Sequence, residues 1–201
     1  MIHQDTKREP KSPEETRERI LLAARDSIAH KGKRGATTRE IADVANVNEA
    51  TLFRHFGSKE ALLIATAQRF CGIVELKSVV ESLSGDLDAD LLIVARTMLE
   101  RMESVRDMMR WSLVEEDDGF ALTTWRPQEA IHQVILAFMK RFVDSGELHG
   151  DPGKLALVFM GFIFAHVLAR KKFPEERIYQ DPELALRVYI NVFLNGVRSR
   201  T

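Results

Sequence analysis

The sequence predicts an all-α protein: an N-terminal helix-turn-helix three-helix unit joined to a C-terminal helical bundle, with about nine helices in all. Three observations carry that expectation. Apolar residues recur at three- and four-residue spacing along most of the 201-residue chain, and no alternating stretch of useful length interrupts them. Glycine (11) and proline (6) are few and scattered, where a β fold needs frequent turns. Small polar residues stand where helices would begin, and Gly or Asn stands where they would end. Apolar content of 45% with 29% charged residues is that of a folded globular chain rather than a disordered one.

Residues 1–12 read as a flexible polar tail carrying Lys7, Arg8 and Lys11. A first helix is expected from Ser12 and Pro13 to His30. Ser12 supplies a cap, Pro13 suits the first helical position, and Glu14 and Glu15 complement the helix dipole. Its apolar stripe is Ile20, Leu21, Ala24 and Ile28, and KGKRG at 31–35 closes it. Thr38 is expected to cap a second helix over 39–45, with Ile41, Ala42 and Ala45 inward. Asn46 tolerates a left-handed backbone and makes a sharp break, and Val47 plugs the space between helices. Asn48 caps a third helix, EATLFRHF at 49–56, with Leu52 and Phe56 inward. Gly57 stops it, and Ser58 caps a fourth helix reaching about Val80.

The bundle follows. SLSGDLD breaks the fourth helix, and helices are expected over 88–104 and 105–116. EDDGFALTT at 116–124 reads as a loop. A helix over 126–145 carries Ile131, Ile135, Phe138 and Phe142. GELHGDPG at 146–153 is a second loop, before an apolar helix over 152–172. FPEERIYQD connects to a last helix over 182–197, closed near Gly196.

Charge and motifs exclude several classes. Net charge is −1; residues 1–60 hold 12 Lys+Arg against 10 Asp+Glu, a mild basic bias. A nonspecific architectural DNA coat would be strongly basic. Cys71, the sole cysteine, precludes an intrachain disulfide, as suits a reducing compartment, and reads as inert packing. The N-terminus lacks the apolar core of a secretory signal. LALVFMGFIFAHVLA at 155–169 is shorter than the roughly 20 apolar residues of a membrane span and contains His166, so a buried helix in a cytoplasmic protein is expected. Enzyme templates fail: HGDPGKL lacks the first Gly and the Ser or Thr of a phosphate loop, and no paired-histidine metal spacing or dinucleotide loop occurs. The EEDD run at 115–118 reads as solvated charge. No catalytic residue, metal or cofactor is expected.

The third helix raises the functional question. An isolated two-turn helix is unstable in water, so its neighbours hold it there for a purpose. Two helices joined by a tight turn place the second in a DNA major groove, with its N-terminal residues at base edges. Suitable groups are present. Thr38 and Thr51 carry hydroxyls, and Arg39, Arg54, His55 and Lys59 are cationic or can become so. The expected exposed face of the short helix is Glu49, Ala50, Phe53 and Arg54.

TTREIADVANVNEATLFRHFGSKEALL, with RERILLAARDSIAHKG upstream, resembles the DNA-binding domain of the TetR family of bacterial transcriptional regulators. The likeness covers residues 17–63. The spacing of Ile41-Ala42, Val47, Thr51-Leu52, His55-Phe56, Lys59 and Leu62 follows the family pattern. The resemblance implies that Thr38, Thr51, His55 and Lys59 meet phosphates, that Arg39 meets a base or phosphate, and that Asn48, Glu49 and Ala50 face bases. Two positions depart from it. Asn46 stands where the family has Gly, and Phe53 where it has a Tyr whose phenol bonds a phosphate; Phe53 can only pack on sugar or a thymine methyl.

The layout further implies a DNA-binding domain at 13–59 and a ligand-binding and dimerisation domain at 60–201. It implies a homodimer that binds a near-palindromic double-stranded operator and a small hydrophobic effector that releases it, with repression as the sign. Candidate ligand contacts are Met98, Met102, Met109, Trp111, Trp125, Phe138 and Phe142; at helical spacing such residues are more often plain core. His132 and His166 are possible polar anchors. The dimer is expected to pair the helices at 152–172 and 182–197 with their copies, through Phe159, Phe162, His166, Tyr189 and Phe193. The alternatives are a central helix buried within one subunit, an architectural DNA-binding protein without an effector and, last, an enzyme.

Overall fold

The computed structural model describes residues 12–70, 73–114 and 118–197, with side chains except at 73 and 111–128. Residues 1–11 of the expected tail at 1–12, Cys71 and most of the EEDD run lie outside them. Among the described residues there are eleven helical segments and no strand. They form two compact units that divide between Thr66 and Ala67.

In the first unit, α1 (Pro13–Gly35) opens with a reciprocal cap. Glu15 N donates to Ser12 Oγ at 3.1 Å and Ser12 N to Glu15 Oε2 at 2.9 Å. Gly32 leaves the helix at φ 71°, which produces the break expected in KGKRG. α2 (Thr38–Val44) packs on α1, and α3 (Glu49–Phe56) packs on α2. Ile20, Leu21, Ile28, Ile41, Leu52 and Leu62 have no exposed surface and form the core. α4 (Lys59–Phe70) begins behind Ser58, whose Oγ accepts from Ala61 N at 3.0 Å.

The second unit contains α5 (Ile73–Glu81), α6 (Leu87–Ser104), α7 (Arg106–Val114), α8 (Asp118–Asp144), α9 (Pro152–Ala169), α10 (Arg177–Gln180) and α11 (Pro182–Val197). α8 and α9 share the most extensive packing across the short loop between them, and α6 packs on α5, α9 and α11. The loop is fastened to the end of α11, where His149 N donates to Val197 O at 2.8 Å. Asp90, fully buried, accepts from Ser84 N, Ser84 Oγ and Gly85 N at 2.8–3.1 Å and so closes the turn into α6.

The expected fourth helix is seen as α4 and α5 on either side of 71–72, which lie outside the described residues. Three expectations need correction. Thr37, not Thr38, caps α2: its backbone is extended and its Oγ1 accepts from Glu40 N at 3.2 Å. The loop at 116–124 is helical from Asp118 onward, because Gly119 and the paired threonines are tolerated within α8. The helix at 152–172 stops at Ala169 and is not buried all round. Leu155, Ala156, Phe159, Ile163, His166 and Val167 face inward, while Leu157 and Val158 are 60% and 53% exposed. By length and composition α9 could cross a membrane, but a third of it is buried inside its own unit.

Candidate nucleic-acid interface

The turn between α2 and α3 is built by one left-handed residue. Asn46 has φ 51°, the only positive φ outside glycine among the described residues. Asn is among the few residues that tolerate it. Val47 N donates to Ala42 O at 3.0 Å, and the Val47 side chain is half-buried between the helices. Arg19 of α1 ties the turn from behind, its Nη1 donating to Ala45 O at 3.0 Å. α3 then starts from Asn48, whose Oδ1 accepts from Thr51 N at 2.7 Å. It stops at Gly57, φ 78°.

These constraints fix which side chains α3 presents. Leu52 is buried and Phe56 half-buried beneath the guanidinium of Arg17, 5.2 Å from the ring centre. Asn48, Ala50, Phe53 and Arg54 are exposed; Phe53 keeps 41% of its surface open, as an apolar ring facing outward. Thr51 and His55 are half-buried on the side of α3 turned toward the start of α1. There an open recess of about 540 Å³ is lined by Pro13, Thr16, Val47, Asn48, Thr51, Arg54 and His55. The candidate residues of α3 thus form two adjoining surfaces, an outer ridge and a recess.

Three candidates have intramolecular partners that the spacing did not reveal. Glu49, expected on the exposed face, is half-buried, and Thr38 Oγ1 donates a hydrogen bond to its Oε1. Lys59 Nζ donates to Lys33 O at 2.7 Å, fastening the start of α4 to the end of α1. Arg39, by contrast, is exposed on α2. The partners of Thr38 and Lys59 lie 11 and 26 residues away in sequence, beyond the reach of local spacing rules.

The residues expected to touch a ligand are less coherent. Met98, Phe138 and Phe142 are buried in one core cluster with Met102 packed against it. The Phe138 and Phe142 rings meet edge to face, centroids 5.2 Å apart. Met109 is buried as well, and Trp111 and Trp125 lie outside the described side chains. Of the dimer candidates, Phe159, His166 and Phe193 are buried within the subunit, and Phe162 stacks on Tyr189 at 5.6 Å. His166 Nδ1 pairs with the Tyr189 hydroxyl at 3.1 Å, while its Nε2 is buried with no partner among the described residues. His132 Nε2 is left in the same state.

A short helix held by a left-handed turn, presenting an outward ridge beside cations, defines a helix-turn-helix DNA-binding protein. Comparison with known proteins gives the family. Residues 20–66 match the model of bacterial regulatory proteins of the tetR family. The chain is 32% identical over 186 residues to the HTH-type transcriptional regulator YvkB of Bacillus subtilis, covering 90% of this chain and 97% of that one. It is 34% identical over 144 residues to the HTH-type transcriptional repressor AcnR of Corynebacterium efficiens, covering 69% and 72%. The crystal structure of FadR from Bacillus subtilis, in complex with stearoyl-CoA, has the same fold at TM-score 0.76 and 16% identity, over 89% of this chain and 98% of that one. The chain belongs to the tetR family and is a DNA-binding transcriptional regulator.

Proposed function

We propose that this regulator is a homodimeric repressor that binds a near-palindromic operator and is released by a small hydrophobic effector. The observation that carries the DNA-reading part is α3 itself: an eight-residue helix, entered through Asn46 at φ 51°, with Asn48, Ala50, Phe53 and Arg54 open to solvent. In this reading Arg39, Thr51, His55 and Lys59 hold the phosphates on either side, and residues at the start of α3 read bases. Phe53 has no hydroxyl for a phosphate and packs on sugar or a thymine methyl. Residues 13–59 act as the reading head and 60–201 as the sensing and dimerising part.

The effector part rests on chemistry and on relatives. The core of the second unit is built of Leu, Ile, Val, Phe and Met side chains, a chemistry that suits an apolar ligand. FadR, of the same fold, binds an acyl thioester, so acyl-CoAs of graded length are the first probes. Induction requires that the effector bind better to a conformation in which the two heads no longer fit the operator. α4, which continues across the boundary between the units, is the proposed lever.

The test is selection of genomic DNA fragments on the full-length chain, followed by footprinting and effector titration. The expected result is one or a few enriched fragments with an inverted repeat. Its half-sites lie about one DNA turn, roughly 34 Å, or a multiple of it, apart, and the protein dissociates on adding one probe of the series. Enrichment no greater than for random fragments overturns the proposal in favour of an architectural role.

A further inference from the structure

We infer that Thr38 is a positioning residue for Glu49, and that Glu49 determines specificity by selecting a base with an exocyclic amino group in the major groove. The inference rests on the DNA-reading role of α3 proposed above.

Its basis is the hydrogen bond from Thr38 Oγ1 to Glu49 Oε1. The two meet because Thr37 takes the capping position of α2. That leaves Thr38 in the first helical turn, with its hydroxyl toward the start of α3. A threonine hydroxyl carries one hydrogen. While it is given to the carboxylate, none remains for a phosphate, which only accepts. The neighbouring negative charge of Glu49 opposes a phosphate at the same place. The phosphate contact that the family resemblance implies for Thr38 therefore conflicts with the geometry of this chain.

Glu49 gains what Thr38 loses. Its side chain is half-buried and anchored through one oxygen, so its direction at the first position of α3 is set before DNA arrives. The second oxygen is an acceptor. The small exposed Ala50 beside it does not obstruct a base edge. In the major groove only cytosine N4 and adenine N6 offer hydrogens; guanine O6 and N7 and thymine O4 accept and would face the carboxylate unfavourably. An anchored glutamate is thus a filter for one amino group per half-site.

The experiment is selection from a random duplex library on the full-length chain, with a salt titration on the best wild-type site. Wild type should show one column per half-site favouring C or A, and the column's identity tells the two apart. E49A should flatten that column, with loss of about tenfold discrimination. T38V should flatten the same column with the salt slope unchanged, and T38S should restore it. E49Q, which keeps the acceptor toward Thr38 and adds an amide donor, should move the preference toward adenine. Circular dichroism checks that each variant is folded, and E49Q serves if E49A or T38V is not. The inference is overturned if T38V lowers the salt slope by about one with the motif intact, or if E49A and E49Q leave every column unchanged. A wild-type chain with no preferred sequence overturns the DNA-reading proposal itself.

Discussion

Lys59 shows how one side chain can serve two roles. Its Nζ donates to Lys33 O at 2.7 Å, and the ammonium keeps its positive charge while it does so. Lys59→Gln retains a donor for Lys33 O and removes the charge. It should weaken binding to all sequences alike and lower the slope of log affinity against log salt by about one, with the melting temperature nearly unchanged. Lys59→Ala should show the same slope and a lower melting temperature. An unchanged slope in Lys59→Gln would exclude the phosphate role. His166 offers a second residue-scale test. Burial holds its imidazole below the ordinary value; Glu103 opposes the shift and Arg170 adds to it. The unfolded chain therefore takes up the proton first. The stability that neutral His166 contributes is complete above about pH 6.5 and is lost as pH falls below it. Both tryptophans lie in 67–201, so their fluorescence follows that unit. The unfolding midpoint of wild type should drop between pH 7 and 5 by more than that of His166→Gln. Equal drops would refute the assignment.

Among the elements, the α2–α3 turn offers the sharpest contrast. Asn46 at φ 51° predicts that Asn46→Gly is tolerated, within roughly 0.5 kcal/mol, since Gly enters that region freely. Asn46→Val should cost about 1–2 kcal/mol and weaken DNA binding through misplacement of α3. Thermal denaturation with binding to the selected fragment checks both, and a Val variant as stable as wild type would show that the turn adapts. This turn was legible in the sequence because its determinants are local: Asn46, the Asn48 cap and Gly57 lie within twelve residues. So were the Ser12 cap and most helix starts. What was not legible depended on distant partners or on weak punctuation. A choice between adjacent threonines decided the α2 cap, and nothing at 118–124 marked the early part of α8 as helix. The Thr38–Glu49 and Lys59–Lys33 contacts depend on how helices pack. For the same reason the burial of Phe159, His166 and Phe193 within one subunit, residues that the layout placed at a dimer surface, was not legible.

At the scale of the whole molecule, the assembly is a matter of which apolar surface one subunit leaves uncovered. On α9, Leu157 and Val158 are exposed, and Gly161 and Ala165 continue the same face at helical spacing. On α11, Val188 and Val192 are exposed at i and i+4, with Val192 at 55%. The two helices are neighbours, joined by the Phe159–Phe193 and Phe162–Tyr189 ring contacts. An apolar strip on adjacent helices is what a partner covers, and a two-fold axis sets the strip against its own copy. Gly161 and Ala165, having little side chain, would let the partner helix approach closely. In the proposed homodimer these exposed positions, rather than the buried rings, would build a four-helix interface of α9, α11 and their copies. A Cβ added at Gly161 meets nothing within 4 Å, so Gly161→Arg should leave each subunit folded while burying an unpaired charge in the interface. Sedimentation equilibrium should report a dimer for wild type and the 22.9 kDa subunit for Gly161→Arg and Val192→Asp. Helix content should be unchanged, and the variants should bind a full operator no better than a half-site. A monomeric wild type at micromolar concentration would refute the dimer, and a Gly161→Arg protein that remains dimeric would place its interface elsewhere.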